Sequence, residues 1–498
     1  MTFADRCGAH DFAHDFAQTP AREAACAAAL RRLHDEGIAQ VRVGWADLHG
    51  TLRGKTLVGT QAVAQALQSG VGLVSTLLLK DTSDRTAFKV FEPGGLHRSL
   101  ASAGFGAANN LLLLPDPASL TFLPWARDTA WLRGESFWPD GSAVDADPRR
   151  VLQAALADLA AAGHGLTCGL EVEFHIYKIE DDGLRAEDAA WPAEPPTLRL
   201  IHPGYALLSE SHADLADEPL AIVRRVALGL NLPLRSLEIE LGPSQVEAVF
   251  APTDALTAAD QMIALRNGVR QALRRAGYHA SFVCRPPLPH SIASGWHLHQ
   301  SLTDAAGRNV TGCEAAQGDA LDARAVLSDA GAHWLAGLLT HARGLAALCA
   351  PTISAYDRFR GSVMAPQAAV WGRDNRGAML RVLGEPGSAD TRIENRIGEP
   401  MANPYLAIAA HIHAGLDGLQ RGLEPGLATE SPYADDAPAL PATLAEALDA
   451  LAQDEALQLG LGGAMACIFD TVKRQELARH AAAEDKAQWL KREYFARF

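Results

Sequence analysis

Several segments of the chain alternate apolar and polar residues with period two, and each carries ionisable side chains on its polar row. Gly169-Leu170-Glu171-Val172-Glu173-Phe174 and Leu237-Glu238-Ile239-Glu240-Leu241 alternate apolar with acidic, and Gln245-Val246-Glu247 follows a short turn. Trp296-His297-Leu298-His299 sets two histidines on one face, and Arg392-Ile393-Glu394-Asn395-Arg396 sets a carboxylate between two arginines. A strand sends successive side chains to opposite faces, so each segment predicts one row in a core and one row on the other side. A single acidic strand is an ordinary solvated face. Several, interleaved with His and Arg, predict a sheet whose polar face is a binding chamber.

The rest of the pattern arranges these strands. Ala24 to Gly37 predicts a helix ended by glycine. Val41 to Asp47 reads as a strand, Leu48-His49-Gly50 as a turn, Val71 to Leu79 as a buried strand, and Asn109 to Leu114 as another closed by Pro115-Asp116-Pro117. A boundary falls near Asp145 to Pro148, where Asp147 can cap a helix that Pro148 opens. Val151, Leu152, Ala155, Leu156 and Leu159 give that helix an apolar stripe, and Gly163 ends it. Helices near 254–276, 326–349 and 404–421 separate the polar-faced strands, with loops at 180–196 and 424–441. The expected division is an N-terminal extension at 1–24, a small α+β domain at 25–145 and a catalytic domain at 146–498. His10 and His14, four apart in the extension, have the spacing of helical metal ligands but read as part of a loose terminus.

Composition narrows the function. With 48% hydrophobic residues among 498, a sizeable core is expected and global disorder is not. The net charge of −15 disfavours nucleic acid and anionic membranes as partners. No segment approaches the ~20 apolar residues of a membrane helix, and no signal peptide is evident. The seven cysteines are odd in number and widely spaced, without a C-x-x-C pair. They read as reduced thiols of a cytoplasmic protein, not as a disulfide framework or zinc site.

The chemistry on offer is of two kinds. Carboxylates with an imidazole suit hard divalent cations. Glu171 and Glu173 share a strand face, Gly242-Pro243-Ser244 can fold the chain so that Glu240 and Glu247 converge, and His297 with His299 fits either metal ligation or a hydrogen-bonded core pair. Arg373, Arg376, Arg381, Arg392 and Arg396, five arginines across 24 residues, fit either salt bridges or a phosphate clamp, since guanidinium binds phosphoryl oxygens bidentately. No P-loop, no G-x-G-x-x-G opening a helix and no kinase-type loop occurs, so an ATP site would be of another kind.

Taken together and in order, these motifs resemble the glutamine synthetase superfamily across nearly the whole chain. Gly169-x-Glu171-x-Glu173-Phe174 resembles its first metal strand, Glu240-x-x-Pro243-x-Gln245-x-Glu247 its second, and Ser294-Gly295-x-His297-x-His299-Gln300-Ser301 its nucleotide and metal strand. Pro351-Thr352-Ile353 through Tyr356 and Arg358 resembles the segment with a substrate arginine; Arg392-Ile393-Glu394-x-Arg396 and Asn403-Pro404-Tyr405 complete the series. The resemblance implies an α+β fold with an N-terminal β-grasp-like domain and a catalytic domain built on a curved antiparallel sheet with flanking helices. It implies two or three Mg²⁺ or Mn²⁺ ions, one held by Glu173, Glu240 and Glu247, another by Glu171, His297 and Glu394. It further implies ATP in a site lined by His299 and Ser301, with Arg392 near the nucleotide and Arg376 and Arg381 on the transferring phosphoryl group. Tyr205, Arg358 and Arg396 would contact substrate. Asp47-Leu48-x-Gly50 resembles a loop that closes a neighbour's site, and stacked hexameric rings are implied. Asp47 and Glu240 are then the candidates for binding or deprotonating the amine.

Two departures shape the expected activity. Where ammonium-using members carry a Glu in a Pro-Gly-aromatic-Glu-Ala-Pro sequence, this chain has Gly361-Ser362-Val363-Met364-Ala365-Pro366. A thioether neither attracts a cation nor takes a proton, so Met364 favours an amine with a carbon body. Ile292-Ala293 replaces the usual Asn-Gly at the glutamate α-amino end. Trp371-Gly372-x-Asp374-Asn375-Arg376 looks more like the γ-glutamylpolyamine synthetase branch. The expected enzyme is a ligase joining glutamate to a small organic amine through γ-glutamyl phosphate. The alternatives are an ammonium-using glutamine synthetase and a non-catalytic homologue serving as a regulator or structural oligomer.

Overall fold

The computed structural model describes residues 19–314, 323–360, 364–434 and 436–498; the His10/His14 tandem and Cys7 lie outside them. The fold is α+β, an N-terminal β-sheet domain followed by a larger sheet with flanking helices. The first sheet runs in the order Leu52–Val58, Gln40–Ala46, Thr129–Phe137, Asn110–Pro115, Val71–Val74. Val41, Val43 and Trp45 form its buried row on Gln40–Ala46. The first helix is Pro20–Asp35, beginning four residues before the expected Ala24 because Thr19 caps the amide of Arg22 and Pro20 opens the turn.

The apolar run from Val71 to Leu79 is not one strand. It is extended only over Val71–Val74 and then turns as a 3₁₀ helix, Ser75–Leu79. The partner strand supplies the reason: pairing ends at Val74 opposite Asn110, and Asn109 takes the Ser75 amide on its carbonyl at 2.8 Å and the Ser75 hydroxyl on its side chain at 2.8 Å. With the ladder finished, local i→i+3 bonding takes over.

The second sheet runs Trp371–Arg373, Leu380–Leu383, Arg392–Gly398, Trp296–Thr303, Gly165–Asp181, Gln245–Phe250, Leu234–Ile239. All its neighbours are antiparallel except the first pair. The long strand Gly165–Asp181 organises it. Leu166, Cys168, Leu170, Val172, Phe174 and Ile176 are buried on one face, against the helices Pro148–Ala161 and Ala255–Arg275, which Pro404–Arg421 joins. Glu171 and Glu173 belong to the other row. Asp147 ties the first sheet to the helix that backs the second: it caps the Arg149 amide at 2.8 Å and accepts the Trp45 indole N–H at 2.8 Å.

The helix expected over 326–349 is two, Asp329–Thr340 and Ala342–Cys349. The break is at His341, whose ring lies between Asp454 (Nδ1, 2.8 Å) and Asp417 (Nε2, 2.9 Å). The six described cysteines are all free thiols. No helix among the described residues is long and apolar enough to cross a membrane.

Candidate active site

Strand register assembles the site. Glu171 pairs with His297, Glu173 with Glu247, and Glu394 with both His299 and Arg381. Because these partners sit directly across from one another, their side chains leave the sheet on the same face. His297 lies 3.2 Å (Nδ1) from Glu171, 3.7 Å (Nε2) from Glu173 and 3.6 Å (Nδ1) from Glu394. His299 Nε2 is 3.0 Å from Glu171, and the other His299 nitrogen accepts Arg392 Nε–H at 3.1 Å. Two sets of ligand atoms have metal spacing: Glu171–His297–Glu394 and Glu173–Glu247–His297.

Electrostatics divides the carboxylates. Burial raises Glu173, and the charge of Glu240 raises it further. Burial likewise raises Glu247, with Glu173, Glu171 and Glu240 adding to it. Glu171 goes the other way: burial opposes ionisation, but hydrogen bonding and charge from His297 and His299 bring it below the usual carboxylate range. Glu394, fully buried, is also lowered, because His297 and Arg396 outweigh its desolvation. Burial and the nearby Arg396 lower His297 to about 4, leaving a neutral imidazole able to ligate. Its buried Nε2 has no hydrogen-bond partner among the described residues. A crowded acidic set with an orphaned, neutral ring nitrogen fits a divalent cation.

Side chains around the cluster fix its geometry. Gln245 Nε2 donates to Glu173 (3.1 Å), to the Ala293 carbonyl (3.2 Å) and to Ser294 Oγ (3.0 Å), while its Oε1 accepts the Gly242 amide (2.9 Å). The Gly295 amide also donates to Glu173, at 2.9 Å. A β-carbon at Gly295 would fall 2.7 Å from Arg358 Nη2 and 2.8 Å from His297 Nε2, so only glycine lets that backbone approach. Arg358 is buried and donates to the carbonyls of Arg396 (2.8 Å) and Gly398 (3.4 Å). Arg396 bridges Glu394 and the Met364 carbonyl.

A cavity of about 800 Å³ adjoins the cluster. Glu171 belongs to both, His299 lines the cavity beside it, and Ser301, Arg308, Ser388 and Arg392 extend the lining. Ser301 Oγ donates to the Thr391 carbonyl at 3.1 Å. The cavity combines open glycine-rich walls with guanidinium groups, and its size suits a nucleotide.

Not every expected residue joins this group. Glu240 is in neither metal-spaced set. It lies one residue beyond Leu234–Ile239, and its carboxylate accepts the Leu241 amide at 3.1 Å; only its charge reaches the cluster. Arg381 sits beside Glu394 at 3.2 Å and is also held by Asp374, whereas Arg376 is exposed on the turn between strands. Tyr205 is 60% exposed, with its hydroxyl donating to the His290 carbonyl at 3.2 Å. Met364 is half-exposed beside Arg396. Asp47 is buried in its own loop, where its carboxylate accepts from the His49 amide (2.9 Å), the Thr51 amide (3.0 Å) and Arg53 Nε (2.8 Å). Sequence reasoning missed the orienting roles of Gln245, Gly295 and Asp374. All three stood inside quoted motifs, but nothing local says which side chain each one serves.

Residues 145–491 match the family model described as glutamine synthetase, catalytic domain. The chain belongs to the glutamine synthetase family. Within that family it is 35% identical over 480 residues to a gamma-glutamylanilide synthase of an Acinetobacter species, covering 94% of each chain. It is 31% identical over 460 residues to the gamma-glutamylethanolamide synthetase GlnA4 of Streptomyces coelicolor, covering 92% of each. A solved GmaS/ADP complex superimposes with a TM-score of 0.72 at 26% identity, covering 94% of this chain and 99% of that one.

Proposed function

We propose that this protein is an ATP-dependent ligase forming a γ-glutamyl amide from glutamate and a small organic amine. The observation that carries the reading is the junction of the carboxylate–histidine cluster with the 800 Å³ cavity at Glu171, beside which His299 lines the cavity. Such a junction sets a nucleotide's phosphates against the ligand set, and a structural neighbour solved as an ADP complex supports a nucleotide ligand. A γ-carboxylate oxygen of glutamate would attack the γ-phosphorus of ATP, releasing ADP. The amine nitrogen would then attack the acyl carbon, losing a proton and displacing phosphate.

In this reading Glu171, His297 and Glu394 hold one Mg²⁺ or Mn²⁺ ion, and Glu173 and Glu247 a second, with Glu240 at its edge. Two or three ions in all would neutralise the phosphoryl oxygens. Arg381, with Arg376 beside it on the turn, would stabilise the transferring group, and Arg392 with His299 and Ser301 would hold the nucleotide. Arg358 and Arg396 would orient glutamate, with Tyr205 at the outer rim. The Asp47 loop would cover a neighbour's site in stacked hexameric rings. Since three donors already occupy the Asp47 carboxylate, its part would be to shape that loop. Light scattering should therefore give an oligomer of rings; a monomer would remove this route.

Met364 decides between ammonium and an organic amine. Relatives named for an anilide and an ethanolamide support amines with a carbon body and no second cation. Phosphate release should be followed with Mg²⁺-ATP, glutamate and aniline, ethanolamine, a short alkylamine, putrescine or ammonium, with products checked by mass spectrometry. One organic amine should exceed ammonium in kcat/KM by at least about tenfold, the scale of one apolar contact in a pocket. Met364→Glu should move that ratio toward ammonium. Preference of the wild type for ammonium would make the protein a glutamine synthetase in the narrow sense.

A further inference from the structure

Residues 424–434 and 436–441 are zipped along the segment 367–377. Ala369 N–H donates to the Pro438 carbonyl at 2.7 Å, Leu440 N–H to Gln367 at 3.1 Å, and Thr429 N–H to Trp371 at 2.8 Å. Asn375 Nδ2 donates to the Thr429 carbonyl at 3.1 Å. From this zipped loop Tyr433 reaches back toward the amine side. Its hydroxyl oxygen accepts the Met364 amide N–H at 2.9 Å. Its ring lies so close to Gly377 that a β-carbon there would be 2.9 Å from the hydroxyl and 3.0 Å from Cζ.

The backbone of Met364 explains why such a contact is needed. Its φ is 66°, in the left-handed region, which costs an L side chain free energy unless surrounding groups hold it there. Both of its backbone polar groups are held by side chains: the N–H by Tyr433 and the carbonyl by Arg396 Nη2 at 3.3 Å. Arg396 in turn binds Glu394. The backbone of Met364, from which the thioether projects, is therefore held by a hydroxyl from the far loop and a guanidinium from the cluster.

We infer that Tyr433 is a positioning residue: its hydroxyl holds Met364 in the left-handed conformation and so aims the thioether at the incoming amine. This rests on the reading of Met364 as an amine-side residue. The phenol ring also covers Gly377, next to Arg376, so the same residue braces the turn that carries an arginine assigned to the phosphoryl group. Tyr433 itself is 43% exposed, and removing only its hydroxyl leaves the ring packing in place.

Tyr433→Phe tests this with two readouts. The KM for the nitrogen substrate that the wild type uses should rise about fivefold, the size of one ordinary net hydrogen bond, with the KM for ATP and for glutamate within twofold and the melting temperature unchanged. Hydrogen exchange of the Met364 amide, followed by mass spectrometry, should accelerate by a similar factor. An unchanged KM overturns the positioning role even if exchange accelerates, and a raised KM with unchanged exchange overturns the hydrogen bond as its cause. Absence of turnover with every amine in the wild type would instead sink the functional reading, and this role with it. Ammonium preference would sink only the organic-amine reading, since both readouts are then taken with ammonium.

Discussion

Glu394→Ala is expected to cost about 3–5 kcal/mol of stability, the usual penalty for removing one partner of a buried ion pair, and to lower turnover by at least about 10²–10³-fold, as for loss of one preorganised electrostatic partner. Glu394 is fully buried in the middle of Arg392–Gly398, binds Arg381 at 3.2 Å and Arg396, and lies 3.6 Å from His297. Without it two guanidinium groups face each other across a chamber with their shared anion gone. Arg381 keeps Asp374 and Arg396 keeps the Met364 carbonyl, so the loss should spread to the amine side. Glu394→Gln keeps the shape and should retain more stability than activity. The pH dependence has a definite sign. The Glu394 carboxyl is lowered in the folded chain, so its contribution is present above the unfolded carboxylate pKa and disappears as pH falls through the folded value. The stability gap between wild type and Glu394→Ala, measured by denaturant titration, should therefore narrow on acidification. A gap that keeps its size as pH falls well below the ordinary carboxylate range would mean that packing, not charge, carries the effect.

Glu394 also shows how far the sequence could be read. Alternation placed it, with Glu171, Glu173, Glu247 and His297, on one sheet face, because period two is a property of the strand itself. The structure adds the cross-strand register that brings them within ligand distance. Alternation does not say where a strand stops. Leu237 to Leu241 keeps its pattern to the end, yet pairing ends at Ile239 and Glu240 turns onto its neighbour's amide. The same limit applies at Val71 to Leu79, where the end of the partner strand decides, and at His341, where carboxylates far along the chain split an apolar helical run. Tyr433 was illegible for a related reason. It lies in a loop without periodicity, and its meaning depends on a backbone angle at Met364.

Removing divalent cations should destabilise this protein more at alkaline than at mildly acidic pH. Glu173 and Glu247 face each other in register, both raised by burial and by neighbouring negative charge. A carboxyl raised on folding stabilises the folded chain fully below its unfolded pKa, and that contribution is lost as pH rises through the folded value. The cation-free protein should thus lose melting temperature steadily from the ordinary carboxylate range through neutrality and beyond. A cation reverses this by replacing the retained protons, so its binding should release protons and strengthen with pH. At a hundredfold excess over its dissociation constant, Mg²⁺ or Mn²⁺ should add about 2.7 kcal/mol, a rise of roughly 2–3 °C for a chain of this size. The rise should be larger at pH 8.5 than at pH 6. Calorimetry in buffers of different ionisation enthalpy would count the protons. Glu247→Gln removes one of the two opposed charges, so it should flatten the pH slope of the cation-free protein and weaken the response to added metal. A metal-induced rise of equal size at both pH values, or none at all, would sink the assignment of this cluster as a cation site, because carboxyls raised by mutual repulsion must give up protons to take a cation.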